Sequence, residues 1–412
     1  MDDSRSSGRT RLPLVALLTA NAVSLLGNVV AVVAIPWLVL EETGSAALTG
    51  VAASAAALPL ALGAFLGGAV VDRIGARAAS VAADLTSALA VAAIPLLDAA
   101  GQLSFGAIAA AAFLGALFDA PGQAARQALV PELAERARVP LERANAWLVG
   151  TEHFGYVLGA PLGGALVTIL GAANALWIDA ASFALSALLV AAFVQAARPA
   201  MQARRGYLAE LLDGLRFLAR EPLVRTLLVL SAAGTLLISP LAPVFLPVYA
   251  REQLGGASDL GIAVAAYGAG GLAGTALAGI VAGSLPRRTV WLAAWLPYGA
   301  FWLGLVALPP LAGLLALLFA IGLTAGALGP IETTLRQERT PRELRGRVLS
   351  TVAAALAITI PVGTLLAGLA VEWLGLRAAL ALFAASNVAL ALAAVLIPAA
   401  RKLSPRPAAG AP

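Results

Sequence analysis

Polar and apolar positions along the 412 residues form a series of long apolar runs separated by short polar breaks. The runs fall at about 13–40, 47–71, 77–97, 103–122, 145–170 and 173–196. After a polar stretch they resume at about 223–249, 258–284, 289–308, 311–333, 348–371 and 376–399. Each is long enough to cross a bilayer, which takes roughly 20 apolar residues as a helix. A stretch such as Val51–Val71, VAASAAALPLALGAFLGGAVV, lacks the polar–apolar alternation of a barrel strand. In lipid a lone segment must bond its own N–H and C=O groups, so these segments are helices. The pattern predicts an all-α membrane protein with twelve transmembrane helices.

Composition agrees. Hydrophobic residues make up 60% of the chain and charged residues 12%, whereas a soluble domain is roughly 45–50% apolar and about 25% charged. A soluble enzyme, a disordered chain and a nucleic-acid-binding protein are thereby excluded. Cys is absent and there is one His, so a disulfide framework, a thiolate site and a His cluster are ruled out and no metal or cofactor is expected. The polar N-terminal segment runs into a long span without a short apolar core and cleavage site. No removable signal peptide is therefore expected.

The sparse charge sets orientation. If both termini are cytoplasmic, 25 of the 27 Lys and Arg fall in inside segments, leaving Arg251 and Arg377 outside. This is the positive-inside asymmetry, repeated at every loop. Adding or deleting one span would scramble it.

The chain also repeats itself at an offset near half its length. Arg143, Gly159, Gly164, Gly171 and Ser182 correspond to Arg347, Gly363, Gly368, Gly375 and Ser386, and Pro121…Arg126-Gln127 corresponds to Pro330…Arg336-Gln337. Two six-helix halves in the same orientation are parallel repeats about an axis along the membrane normal. The expected organisation is an N-terminal bundle over 1–196, a linker over 197–222, a C-terminal bundle over 223–400 and a cytoplasmic tail over 401–412. In the linker, Tyr207, Leu208, Leu211, Leu212, Leu215 and Leu218 recur at helical spacing among charges. This suits an amphipathic helix on the cytoplasmic membrane surface, tethering the two bundles.

The loop after the second span reads Gly67-Gly68-Ala69-Val70-Val71-Asp72-Arg73-Ile74-Gly75-Ala76-Arg77. Gly68 permits close helix approach, Gly75 permits a tight turn, and Asp72, Arg73 and Arg77 can pair at the cytoplasmic mouth. The loop resembles the signature G-x-x-x-D-R-x-G-R-[RK] of the major facilitator superfamily, with Ala76 in place of the first basic residue. The resemblance implies the two-bundle major facilitator fold. It also implies a cytoplasmic gate of Gly68, Asp72, Arg73, Gly75 and Arg77, in which Asp72 reaches the start of the eleventh helix. Asp119 is then expected to partner Arg77. The segments Thr43–Ser45 and Arg126–Leu133 resemble the branch holding enterobactin-exporter-type and macrolide-efflux-type proteins. Gly155, Gly159, Pro161, Gly163 and Gly164 in the fifth span are similar to the antiporter motif of drug exporters, with Pro161 one place late.

Asp84, Asp119, Glu152, Asp179 and Glu332 are acids within spans, where ionisable groups are costly and usually functional. Glu152 is placed near the midplane, Asp179 towards the outer end, and the others towards the cytoplasm. Glu152 and its neighbour His153, with Asp179, are the expected proton-coupling residues, and Asn21, Asn28, Tyr156 and Glu332 the expected substrate-cavity residues. The function expected is export of a small amphiphilic molecule, a drug, macrolide or siderophore-like compound, by proton antiport across a bacterial inner membrane. The expected partners are the substrate, protons and the bilayer, with no nucleic acid and with the protein as a monomer. A lipid or amphiphile flippase and an uptake symporter are the alternatives on the same fold. A hydrolase lacks the necessary residues, an ATP-driven pump lacks the phosphate loop, and a scaffold leaves the acids unexplained.

Overall fold

The computed structural model describes residues 3–195, 207–282, 284–341 and 344–396, with the side chains at 3–10, 60–70, 72, 152–154 and 207–212 outside the described set. Fourteen α-helices follow in chain order among these residues: α1 Asp3–Thr43, α2 Ala46–Ile74, α3 Ala76–Ala99, α4 Phe105–Arg136, α5 Leu141–Leu170, α6 Ala172–Phe193 and α7 Tyr207–Arg220. Then come α8 Pro222–Ile238, α9 Leu246–Gln253, α10 Ala257–Val281, α11 Arg287–Val306, α12 Leu311–Arg339, α13 Arg345–Leu374 and α14 Leu376–Leu396. Among the described residues eleven helical stretches are long and apolar enough to cross a membrane. The expected single span over 223–249 is instead α8, a π-helical segment Leu241–Phe245 and α9. Pro240, Pro243 and Pro247 cannot donate to a regular ladder, which accounts for the break.

By packing, the chain forms two compact units. The first contains Met1–Ala203 with Leu241–Ala265 and Thr364–Leu369, and the second contains Arg204–Pro240, Ala266–Gly363 and Ala370–Pro412.

In the first unit α1 packs on α4, α5 and α6, while α3 packs on α4 and α6. Glycines bring α5 onto α1: a Cβ at Gly159 would lie 3.0 Å from Val29 Cβ, and one at Gly163 3.1 Å from Val30 Cα. Two further close crossings join the ends of other helices. A Cβ at Gly50 would lie 2.7 Å from the Thr364 carbonyl oxygen, and one at Gly164 2.5 Å from that of Ala257. Gly50 faces Gly368 and Gly164 faces Gly261, so both crossings are backbone against backbone. Arg251 donates to the carbonyl of Leu40, placing a cation at the C-terminal end of α1, where the helix dipole favours it.

In the second unit α11 packs on α12 and α14. Asp213 of α7 pairs with Arg347 of α13 at 2.8 Å. Leu218 of α7 is buried with Val224, Val348 and Val352. A Cβ at Gly214 would lie 2.8 Å from the Arg347 carbonyl oxygen, so α7 rests directly on the start of α13.

The repeat read from the sequence is visible in local geometry. Gly171 between α5 and α6 has φ 84°, and Gly375 between α13 and α14 has φ 78°. Each donates its N–H to the carbonyl four residues back, Val167 and Val371. Gly75 makes the same junction between α2 and α3 with φ 86°. A side chain is disfavoured in this left-handed region, so the junction needs Gly.

Candidate functional site: a buried guanidinium and its carboxylates

Three helices of the first unit converge on one guanidinium. Arg126 of α4 is fully buried. Its Nη1 lies 2.7 Å from Asp84 Oδ1 of α3, and its Nη2 lies 3.3 Å from Asp119 Oδ1, two turns earlier on α4. Its Nε donates to Asn21 Oδ1 of α1 at 3.0 Å. The acids are held from behind. Ser186 of α6 donates to Asp84 Oδ2 at 2.7 Å. Asn28 donates to Asp119 Oδ2 at 3.0 Å, and Gln123 does so at 2.7 Å. Asn21 in turn donates to Thr151 of α5 at 2.8 Å. Gly122 lets α3 and α4 approach: a Cβ there would lie 3.0 Å from Ala83 Cβ.

Asp179 of α6 lies beside this cluster. It is buried, its Oδ1 accepts no hydrogen bond from the described residues, and the Asp119 carboxylate is within electrostatic reach. It abuts α1 at Gly27, where a Cβ would stand 2.6 Å from Asp179 Oδ1 and 2.0 Å from Ser182 Oγ. Gly27→Ala is therefore expected to lower stability by about 1–3 kcal/mol through overpacking. A fall in melting temperature in detergent would show it, and an unchanged melt would contradict the packing.

The second unit carries a related centre. Arg336 of α12 contacts Glu332 at 3.1 Å and donates to the Ser231 hydroxyl of α8. Ser231 also donates to Glu332 Oε2, and Trp291 of α11 donates to Oε1 at 3.4 Å. Asn21 with Arg126 and Ser231 with Arg336 recur at the same sequence offset, so each half places an Arg of one helix on a polar side chain of another. The partners differ: two acids contact Arg126 and one contacts Arg336.

This geometry changes one expectation. The expected Arg77–Asp119 pair is not formed: Arg77 donates to the Ala191 carbonyl at 2.5 Å, while Asp119 is engaged with Arg126, Asn28 and Gln123. Asn21 and Glu332 are buried inside polar clusters. Asn28 faces Asp119, and Tyr156 is 48% exposed on α5. Asp179 abuts Gly27, which stands midway along the apolar Arg11–Thr43 stretch of α1. Gly155, Gly159, Gly163 and Gly164 are buried packing positions, and α5 runs on through Pro161. Arg73 is exposed. Gly68, Asp72, Glu152 and His153 lie outside the residues whose surroundings are described.

By sequence Arg126 and Arg336 fall among the charges of inside loops, because the apolar runs stop near 122 and 333. The helices continue to Arg136 and Arg339, and this carries both arginines into packed interior. A signal for them existed. Acids inside a membrane require partners, and these two arginines occupy matching places in the repeat. Among the described residues no cluster of three or more potential metal ligands occurs.

Long apolar helices, an internal repeat and guanidinium–carboxylate centres sealed between helices define a polytopic membrane transporter. The chain belongs to the Major Facilitator Superfamily, which it matches over residues 17–257 and 241–412. It is 33% identical over 402 residues to "Multidrug efflux pump Tap" of Mycolicibacterium fortuitum, covering 96% of this chain and 97% of that protein. It is 33% identical over 408 residues to the protein of the same name from Mycobacterium tuberculosis, covering 97% and 96%. A solved D-xylose-proton symporter superposes with a TM-score of 0.74 at 16% identity, covering 94% of this chain and 98% of that one. For nucleoside transporter NupG the values are 0.72, 15%, 93% and 98%. At such identities the likeness shows the shared fold. The protein is a multi-pass transporter of the bacterial cytoplasmic membrane.

Proposed function

We propose that this transporter exports small amphiphilic, drug-like molecules from the cytoplasm by alternating access, driven by proton antiport. In this reading α2 is the twelfth span, both termini are cytoplasmic, residues 1–196 and 223–400 form the two bundles, and the protein acts as a monomer. The observation that carries the reading is the buried Arg126 centre with Asp179 beside it. Near-full-length similarity to proteins named multidrug efflux pumps supports the outward direction of transport.

The chemistry follows from the geometry. A carboxyl group in a low-dielectric interior takes up a proton more readily than in water, while a nearby guanidinium favours its ionised form. Asp84 has its two oxygens divided between Arg126 and Ser186, which suits a fixed counter-ion. Among the described residues Asp179 makes no ion pair, which suits a proton carrier. Gain or loss of its proton changes the charge at Gly27–Asn28 of α1, the helix that also touches Arg126 and α5. Protonation state is thereby coupled to helix packing. The loop holding Gly68, Asp72, Arg73, Gly75 and Arg77 acts as the cytoplasmic gate, with Arg77 tying α3 to the end of α6.

The test is transport in everted membrane vesicles energised by a proton gradient, using a panel of lipophilic cationic and neutral dyes. Uptake into the everted vesicles that collapses with an uncoupler is the expected result. Dye movement in the opposite sense would mark an uptake symporter. Movement of labelled lipid alone would mark a flippase.

A further inference from the structure

We propose that the open position at Gly329, beside Arg336 in the second unit, binds the carboxylate of an amphiphilic cargo molecule. The role of that molecule as cargo rests on the export reading above, and the site rests on local geometry.

The repeat offset that carries Asn21 to Ser231 and Arg126 to Arg336 also carries Gly122 to Glu332 and Asp119 to Gly329. The Arg126 guanidinium takes two carboxylates, Asp84 from α3 and Asp119 from two turns earlier on its own helix. Glu332, standing where the first unit has Gly122, gives Arg336 one carboxylate. The second has no counterpart, because Gly329 stands where the first unit has Asp119.

This difference leaves a donor and room together. Nη2 of Arg336 donates to Glu332, Ser231 and the Leu227 carbonyl, while Nε has no partner among the described residues. Arg336 is only 6% exposed, and a buried donor without an acceptor is costly. Gly329 is exposed, and a Cβ built on it would meet nothing within 4 Å. Helical side chains lean towards the N-terminus of their helix, so Arg336 reaches back along α12 towards Glu332 and the turn of Gly329. Asp119 shows that the reach suffices: at the same spacing it lies 3.3 Å from Arg126 Nη2.

The chemistry of the ligand follows. A guanidinium with N–H groups to spare is best matched by a carboxylate, which can accept two of them. The Arg126 centre shows that one guanidinium in this fold accommodates two carboxylates, so a second acid beside Glu332 is tolerated. Among the described residues, the charged groups at the site are Glu332 and Arg336 of α12. The side chains that reach them from α8 and α11, Ser231 and Trp291, are neutral. Asn28, whose amide holds Asp119 in the first unit, corresponds to Ile238. An apolar side chain in that place suits a carboxylate attached to an apolar body and disfavours a small hydrated anion.

The experiment compares binding of dansylglycine and of dansylglycinamide, its uncharged analogue, to the detergent-solubilised full chain by fluorescence. The wild type is expected to bind the acid about tenfold or more tighter than the amide. Equal affinity overturns the inference. Gly329→Asp places a carboxylate where the repeat has Asp119, and it is expected to remove the preference for the acid. A retained preference overturns the assignment to Gly329. Gly329→Cys gives a second reading, because the chain contains no Cys. Dansylglycine at ten times its Kd is expected to slow alkylation of this thiol by N-ethylmaleimide about tenfold. Absence of protection overturns the site, also where Gly329→Asp does not fold.

Uptake of dansylglycine by energised everted vesicles tests the role as cargo, and uptake is expected. Vesicles that take up cationic dyes and leave dansylglycine outside overturn that role while the export reading stands. Vesicles that take up neither overturn the export reading and the cargo role with it.

Discussion

Arg126→Ala abolishes transport and lowers the stability of the folded protein by about 3–5 kcal/mol, the range found when one partner of a buried charge pair is removed. The size follows from what the substitution leaves behind. Asp84 and Asp119 lose their shared cation, and Asn21 loses its donor, all inside a packed interior. Arg126→Lys is expected to rescue little. Arg126 uses Nε, Nη1 and Nη2 for three partners on three helices, and a single ammonium cannot reproduce that fork. Thermal unfolding in detergent, read beside dye transport, checks both variants. A stable Arg126→Ala protein with normal transport would show that the centre carries no charge in the folded state. The double variant Arg126→Met with Asp84→Asn, which removes cation and fixed counter-ion together, should recover part of the stability and none of the transport.

Gly164→Val should block transport while leaving the protein inserted and folded. A Cβ at Gly164 would stand 2.5 Å from the Ala257 carbonyl oxygen, and one at Gly261 2.4 Å from that of Ala160. These are backbone contacts, so no rotamer change relieves them. Overpacking of this kind costs about 1–3 kcal/mol, and 1.4 kcal/mol corresponds to about tenfold in an equilibrium. The crossing sits at the end of α5 that the charge pattern assigns to the outside. Opening there is read directly, because the chain contains no Cys. Ala257, only 5% exposed, can be replaced by Cys as a clean reporter. Thiol labelling from outside should accelerate about tenfold in the Gly164→Val background. Unchanged labelling together with normal transport would sink the idea. Gly50→Val tests the other crossing, since a Cβ there would meet the Thr364 carbonyl oxygen at 2.7 Å.

The loop Gly67–Arg77 shows how far reading from the sequence goes. Gly75 was legible as a turn, because positive φ is a local property of one residue. The partner of Arg77 was not. A guanidinium on an exposed helix end has several acceptors in reach, and here it takes the Ala191 carbonyl, which no residue pattern marks. The same holds for α7. Its amphipathic period was readable, but its seat on Arg347 and Thr351 depends on Gly214 meeting the backbone of α13.

The sequence by itself determined the membrane class, the helical architecture, the internal repeat and the family. Each of these rests on period, run length or short motif, and such properties survive without knowing which residues touch. It also picked out Asp119, Asp179 and Glu332, because an acid in an apolar run is conspicuous wherever it points. Only the tertiary structure decided which acids meet which cation. Arg126 and Arg336 looked like loop charges, since the apolar runs end before them. Their burial depends on α4 and α12 continuing inward and on Asn21, Asp84 and Ser231 arriving from other helices. The pairing of charges is a property of three-dimensional proximity, so it becomes visible once the helices are packed.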